Sequence, residues 1–174
     1  ADHATPLYAT PKYSAPGAGA ALATWDDRGT RWILAPVAGA PPAGVKFASN
    51  GLAPTGSVAA FKLVDQAGKL TLEPAWSSRD LKSPLAPVVV NGLVLVASSG
   101  EYRGGSAPMS GAARALRSTP AVLYVLDGTT GQELWSSGRT ITSFARGGLA
   151  AGGGQAYVVT YDSHMYAFGI PVEH

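Results

Sequence analysis

The sequence predicts an all-β protein assembled from repeated quartets of antiparallel strands. Three observations predict it. No long stretch places apolar residues at i, i+3, i+4 and i+7. Short β-branched and aromatic runs alternate with turn residues. The same strand–turn–strand pattern then returns along the chain, and a repeat of that kind dictates the whole fold.

The elements follow in order. Residues 25–37, WDDRGTRWILAPV, read as strand, tight polar turn, strand. Residues 86–99, APVVVNGLVLVASS, read the same way, with Asn91-Gly92 at the turn, the strongest short hairpin signal. Residues 148–162, GLAAGGGQAYVVTYD, give a third hairpin with glycines at its turn. A third strand follows each: Val58 to Phe61, Leu123 to Leu126, and Met165 to Phe168. The first two continue through a turn, Asp65 to Gly68 and Asp127 to Gly131, into a fourth strand that ends in Trp76 or Trp135. The third stops at Phe168. Ser110 to Leu116 is the one short helical candidate, set in a loop.

A four-stranded antiparallel repeat is the unit of a β-propeller, in which each blade buries its faces only against its neighbours. The expectation is a partial propeller of about three blades. All of residues 1–174 form one propeller segment: a blade end at 5–14, blades at 21–76 and 86–137, and a partial blade at 148–168 that lacks its own fourth strand. The two tryptophans then cover blade-to-blade seams with large flat rings. Fewer than three blades cannot close a ring. The missing blades come from the same precursor, from a second copy or from another subunit, because open blade edges are an aggregation hazard.

The bulk composition agrees. Of 174 residues, 46% are hydrophobic and 14% charged, too apolar for disorder, and 22 Gly and 13 Pro supply the turns. With no cysteine there is no disulfide, thiolate metal site or thiol nucleophile. No apolar run reaches the roughly 20 residues of a membrane span. A formal net charge of +2 is no argument for nucleic acid.

LYVLDGTTGQELW (residues 123–135) and AYVVTYDSHMYAFG (156–169) resemble the repeat of the PQQ-like (pyrroloquinoline-quinone) β-propeller family, here its C-terminal blades. GSVAAFKLVDQAGKLTLEPAWSSRD (56–80) resembles a longer variant of the same blade. The matching residues are the blade-packing ones, Asp127, Thr130, Gly131 and Trp135, with Trp76 in the corresponding place. The resemblance implies a propeller and export to the periplasm or cell surface. The family holds both quinoprotein dehydrogenases, which carry the quinone and calcium on the ring axis, and non-catalytic scaffolds. The adjacent cysteines and catalytic aspartate of the dehydrogenases have no counterpart, so no catalytic, cofactor-binding or metal-binding residue is carried over.

The charges are unevenly placed. Two insertions, at about residues 36–56 and 100–120, fall between second and third strands. In an up-and-down blade they share a face with the connections Ser77 to Pro84 and Ser136 to Gly147. That face carries Lys46, Arg79, Lys82, Arg103, Arg114, Arg117, Arg139 and Arg146, eight of 13 basic residues, against three of 11 acids, Asp80, Glu101 and Asp162. Such a face fits an anionic partner: an acidic protein, a lipid headgroup surface or a polyanionic sugar. Solvated loops with internal ion pairs are the plainer reading of the same charges.

Other chemistry finds little footing. Asp162-Ser163-His164 contains triad residue types, but neighbours in one turn cannot converge as a triad does. The histidines, His3, His164 and His174, show no metal-ligand spacing. The run Gly152 to Gly154 lacks the helix and Lys-Ser/Thr of a phosphate loop. The expected function is a non-catalytic propeller scaffold or interaction subunit that meets a partner through the basic face. The alternative is the C-terminal part of a quinoprotein oxidoreductase whose quinone and calcium are held outside this chain.

Overall fold

The computed structural model describes residues 4–17, 21–104 and 108–169. Within them the chain is all-β, with three sheets, antiparallel apart from one short parallel pairing, and one short helix. The first hairpin joins β1 (Ala23–Asp27) to β2 (Thr30–Ala38). β4 (Gly56–Gln66) and β5 (Lys69–Ser77) extend this sheet, and β3 (Ala48–Ser49), from the first insertion, pairs parallel to the end of β5. The second sheet is β6 (Val88–Val90), β7 (Leu93–Ser98), β8 (Val122–Asp127) and β9 (Glu133–Ser136), hydrogen-bonded in that order. The third holds β10 (Ala145–Gly152), β11 (Gln155–Thr160) and β12 (Met165–Gly169) and no fourth strand among the described residues.

The turns explain why these runs fold back. Arg28-Gly29, Ala67-Gly68, Asn91-Gly92 and Gly153-Gly154 each place two successive residues at positive φ. That is the two-residue turn whose twist matches antiparallel strands, and Gly or Asn reaches it at least cost. The helix α1 (Gly111–Arg117) starts at Ser110, whose Oγ accepts from the Ala113 N–H, the expected cap for the short helix read in the second insertion. It buries no residue.

Alternation along the strands determines how the sheets stack. Trp32, Leu34, Val58, Ala60 and Trp76 of the first sheet pack with Val94, Val96 and Leu126 of the second. The opposite face of the second sheet, Leu95, Ala97 and Leu123, packs with Ala145, Ala156 and Val158 of the third. The second sheet therefore packs against a neighbouring sheet on each face. This is why LVLVA and VLYVL read as nearly unbroken apolar runs rather than as apolar–polar alternation. Each fully buried Val or Leu contributes about 1.5–3 kcal/mol of apolar burial.

The N-terminal segment departs from expectation. Residues 5–14 form no strand. Instead Tyr13 meets Phe61 edge-on at 5.5 Å, Ser14 Oγ accepts from the Ala38 N–H, and the Ala15 N–H donates to the Ala38 carbonyl. With Phe47 and Leu72, Tyr13 covers the outer face of the first sheet, formed by Ala35, Val37, Ala59 and Phe61. Two prolines, Pro6 and Pro11, deprive this stretch of ladder donors, so it serves as a cover rather than an edge strand.

Candidate functional site

Two places bring together the residues singled out in the sequence. The first is the seam between the first and second sheets. Asp127 ends β8, and its Oδ1 accepts from the N–H and hydroxyl of both Thr129 and Thr130. These bonds hold the Asp127 carboxyl below its ordinary value, the Thr129 hydroxyl acting most strongly. The Gly131 N–H closes the turn on the Asp127 carbonyl at 2.8 Å. Trp76, 1% exposed, lies on this turn and donates its indole N–H to the Gly128 carbonyl at 3.0 Å. Gly131, at φ +73°, faces the ring so closely that a Cβ would overlap it. Asn50, from the first insertion, ties the seam by donating to the carbonyls of Ser77 and Thr130 at 3.0 and 2.9 Å. Trp76, Asp127, Thr130 and Gly131 thus form one lock between sheets.

Trp135 occupies the corresponding place on the second sheet. A β-bulge precedes each tryptophan by one residue, at Ala75 in β5 and at Leu134 in β9. Yet Trp135 is 44% exposed. It leans on Phe168 at 5.6 Å and borders an apolar groove of about 530 Å3, lined by Leu93, Leu95, Val125, Gly154 and Phe168. No turn equivalent to Asp127–Gly131 covers it among the described residues.

The second place is the loop face. Hydrogen bonds join its segments: Thr55 N–H to Asp80, Ser83 Oγ to the Glu101 carbonyl, the Gly100 N–H to the Lys82 carbonyl, and the Ala145 N–H to the Ser99 carbonyl. Glu101 is at the centre, its side chain 5% exposed. Arg103 Nε donates to Oε2 at 2.9 Å, Arg146 Nε lies 3.4 Å from Oε1, and Arg114 Nη1 lies 3.7 Å from Oε1. Arg117 sits over the Tyr102 ring at 5.4 Å. Lys82 and Arg103 line a cavity of about 340 Å3 with Tyr102, Ser83 and Thr55.

Five of the basic residues expected on this face, Lys82, Arg103, Arg114, Arg117 and Arg146, therefore gather here. The others do not join this cluster. Arg79 pairs with Glu133 and stacks over Tyr124 at 4.9 Å, which makes it part of the seam between the first two sheets. Glu133 raises its pKa. Lys46 lies beside Tyr8, Phe61 and Leu72 on the outer side of the first sheet. Arg139 is exposed in the connection before β10 and makes no ion pair with a described residue. In the sequence Glu101 is one of three acids on this face. Its role had one signal: it is the only acid within 100–120, a segment that also carries Arg103, Arg114 and Arg117.

The Asp162–His164 pair is local to its turn. His164 Nδ1 lies 3.2 Å from Asp162, and Thr160 donates its hydroxyl to Asp162 at 2.6 Å, which lowers the Asp162 pKa. Among the described residues no hydrogen bond links Ser163 to His164. Nor do three His, Asp or Glu side chains meet as a cation would need. Glu101, the carboxylate at the cavity, is taken up by three arginines. These residues do not fit a calcium-bound quinone, and no oxidative step is assigned to them. No described helix is long and apolar enough to cross a membrane.

Comparison with protein-family models, with curated proteins and with solved structures finds no match to the chain.

Proposed function

We propose that the chain is a segment of a β-propeller of the PQQ-like kind that acts as a non-catalytic scaffold in the periplasm or at the cell surface. It joins a larger ring by accepting further blades, from its own precursor, a second copy or another subunit. Its basic loop face meets an anionic partner.

The contrast between Trp76 and Trp135 carries this reading. The first is sealed by the turn of the next sheet, with its N–H bonded and its ring against Gly131. The second has the same position and the same bulge but stands at an open groove. The occupant of that groove is a tight turn followed by a strand that pairs with the edge of β12 that meets no described strand. Such strand addition is a common mode of recognition between chains.

A peptide of this protein's own residues 127–136, DGTTGQELWS with Trp135→Phe, supplies that turn and strand. Added to the full chain, it is expected to shift tryptophan emission to the blue and to raise the melting temperature. A chain carrying Trp135→Phe loses the emission shift. No shift at millimolar peptide, or an equal shift with a scrambled peptide, contradicts the reading.

A further inference from the structure

We infer that the cavity beside Glu101 is a binding site for an oxyanion borne on a sugar, a sulfate or phosphate ester held by Lys82 and Arg103. The inference names a ligand for the basic face of the proposed scaffold, and rests on that reading only for the ligand's biological role.

Charge provides the first argument. One buried carboxylate faces three guanidiniums, from the 100–104 loop, from α1 and from β10. A structural ion pair needs one cation for one carboxylate. Here Arg114 and Arg146 share the Glu101 charge at Oε1, the oxygen that the Arg103 Nε–H does not use, at ion-pair rather than hydrogen-bond distance. Arg103 spends only its Nε–H on Glu101 and is 41% exposed. Its two Nη groups make no hydrogen bond to a described residue, and they are the fork that matches an oxyanion in two-point contact. The Lys82 ammonium, with three donors, makes one long contact of 3.4 Å to the Thr119 hydroxyl.

Position provides the second argument. Glu101 is pinned by the Ser83 hydroxyl on its carbonyl and by Ser99 Oγ on its N–H, so the arginine fork is aimed before any ligand arrives. The four cations come from four separate segments, and an ordered donor set gains affinity by avoiding ordering on binding. The cavity, about 340 Å3, is at the low end of small-molecule pockets, which span about 300–1,000 Å3. Its remaining walls are the Tyr102 ring, the apolar surface of Pro16, Pro36 and Pro84, and the hydroxyls of Ser83 and Thr55, which donate to Glu101 and Asp80 and keep oxygen lone pairs to accept from a sugar hydroxyl. A bare inorganic ion would leave most of that volume empty.

The test is calorimetric titration of the full chain with glucose 6-sulfate, glucose 6-phosphate, inorganic sulfate and glucose, at constant ionic strength in sodium chloride. The expected result is saturable one-to-one binding of both sugar esters, each about tenfold tighter than inorganic sulfate, with no binding of glucose. Lys82→Gln and Arg103→Gln are each expected to weaken the esters by about tenfold, the loss of one charge-assisted contact. Arg139→Gln, outside the lining of the cavity, leaves binding unchanged. If Arg103→Gln does not fold, as far-UV circular dichroism would report, Lys82→Gln carries the test alone. Equal affinity for inorganic sulfate and the esters overturns the sugar, and heats that follow sodium chloride overturn the site. Binding only to anionic phospholipid vesicles also overturns it. None of these outcomes bears on Trp135, so ring completion stands or falls separately.

Discussion

Replacing each seam tryptophan in turn tests the lock between sheets quantitatively. A tryptophan buries about 150–250 Å2, worth about 4–6 kcal/mol at 25 cal/mol per Å2. Trp76 is 1% exposed and also bonds the Gly128 carbonyl, so Trp76→Phe removes the N–H bond and part of the buried ring. The bond is worth about 1 kcal/mol and the lost surface about 1–2 more, a total of about 2–3 kcal/mol. Trp135 is 44% exposed and has no hydrogen bond to a described residue, so Trp135→Phe costs less than about 1 kcal/mol. The difference is read as a shift in the urea midpoint by far-UV circular dichroism at unchanged slope. An equal or larger cost at Trp135 in the isolated chain refutes the reasoning, since it would mean that Trp135 is as well sealed as Trp76.

Three further outcomes are expected. Asp127 titrates below its ordinary value of 3.8, so its contribution to stability is complete above that pH and fades as the pH falls through its lowered folded value. Asp127→Asn therefore flattens the acid limb of the stability profile, below about pH 4, measured as melting temperature against pH. Gly100→Ala costs at least about 2 kcal/mol more than Gly92→Ala by urea denaturation: both sit at positive φ, but a Cβ at Gly100 strikes the Thr119 carbonyl whereas one at Gly92 meets open space. Glu101→Gln leaves three arginines facing one another, and costs about 2–3 kcal/mol, low for a broken buried pair because the arginines are 28–56% exposed. Sulfate at about 0.5 M, which screens and pairs the guanidiniums, restores part of that loss in a thermal melt.

Local chemistry made the strands legible. Asn91-Gly92 and Gly153-Gly154 fixed two hairpins, and the apolar run at 122–126 marked a strand leading into the Asp127–Gly131 turn. Asp127, Thr130 and Gly131 were readable as a unit because the turn is built from neighbours in sequence. The parallel pairing of β3 was not, because two residues, Ala48 and Ser49, carry no periodicity. Residues 5–14 misled for a physical reason: Tyr8 and Tyr13 supply strand-like aromatics, but the fold uses Tyr13 to shield Phe61. The grouping of charges was half visible. Sequence order put Arg79 and Lys46 on the loop face, and only three dimensions place Glu133 beside the one and Phe61 near the other. The same holds for Arg146, which reaches Glu101 from 45 positions away, so that no short-range pattern could pair them.

Among the described strands β12 has a neighbour on one side only; the account depends on that edge being open, and amide hydrogen exchange on the isolated chain tests it most directly. The strand β8, paired on both sides by β7 and β9, is expected to exchange only through global unfolding. β12 pairs with β11 alone among the described strands, so those of its amides that do not bond to β11 are expected to exchange orders of magnitude faster. Protection along the whole of Met165–Gly169 equal to that of Val122–Asp127 would mean the edge is already paired, and would contradict the account.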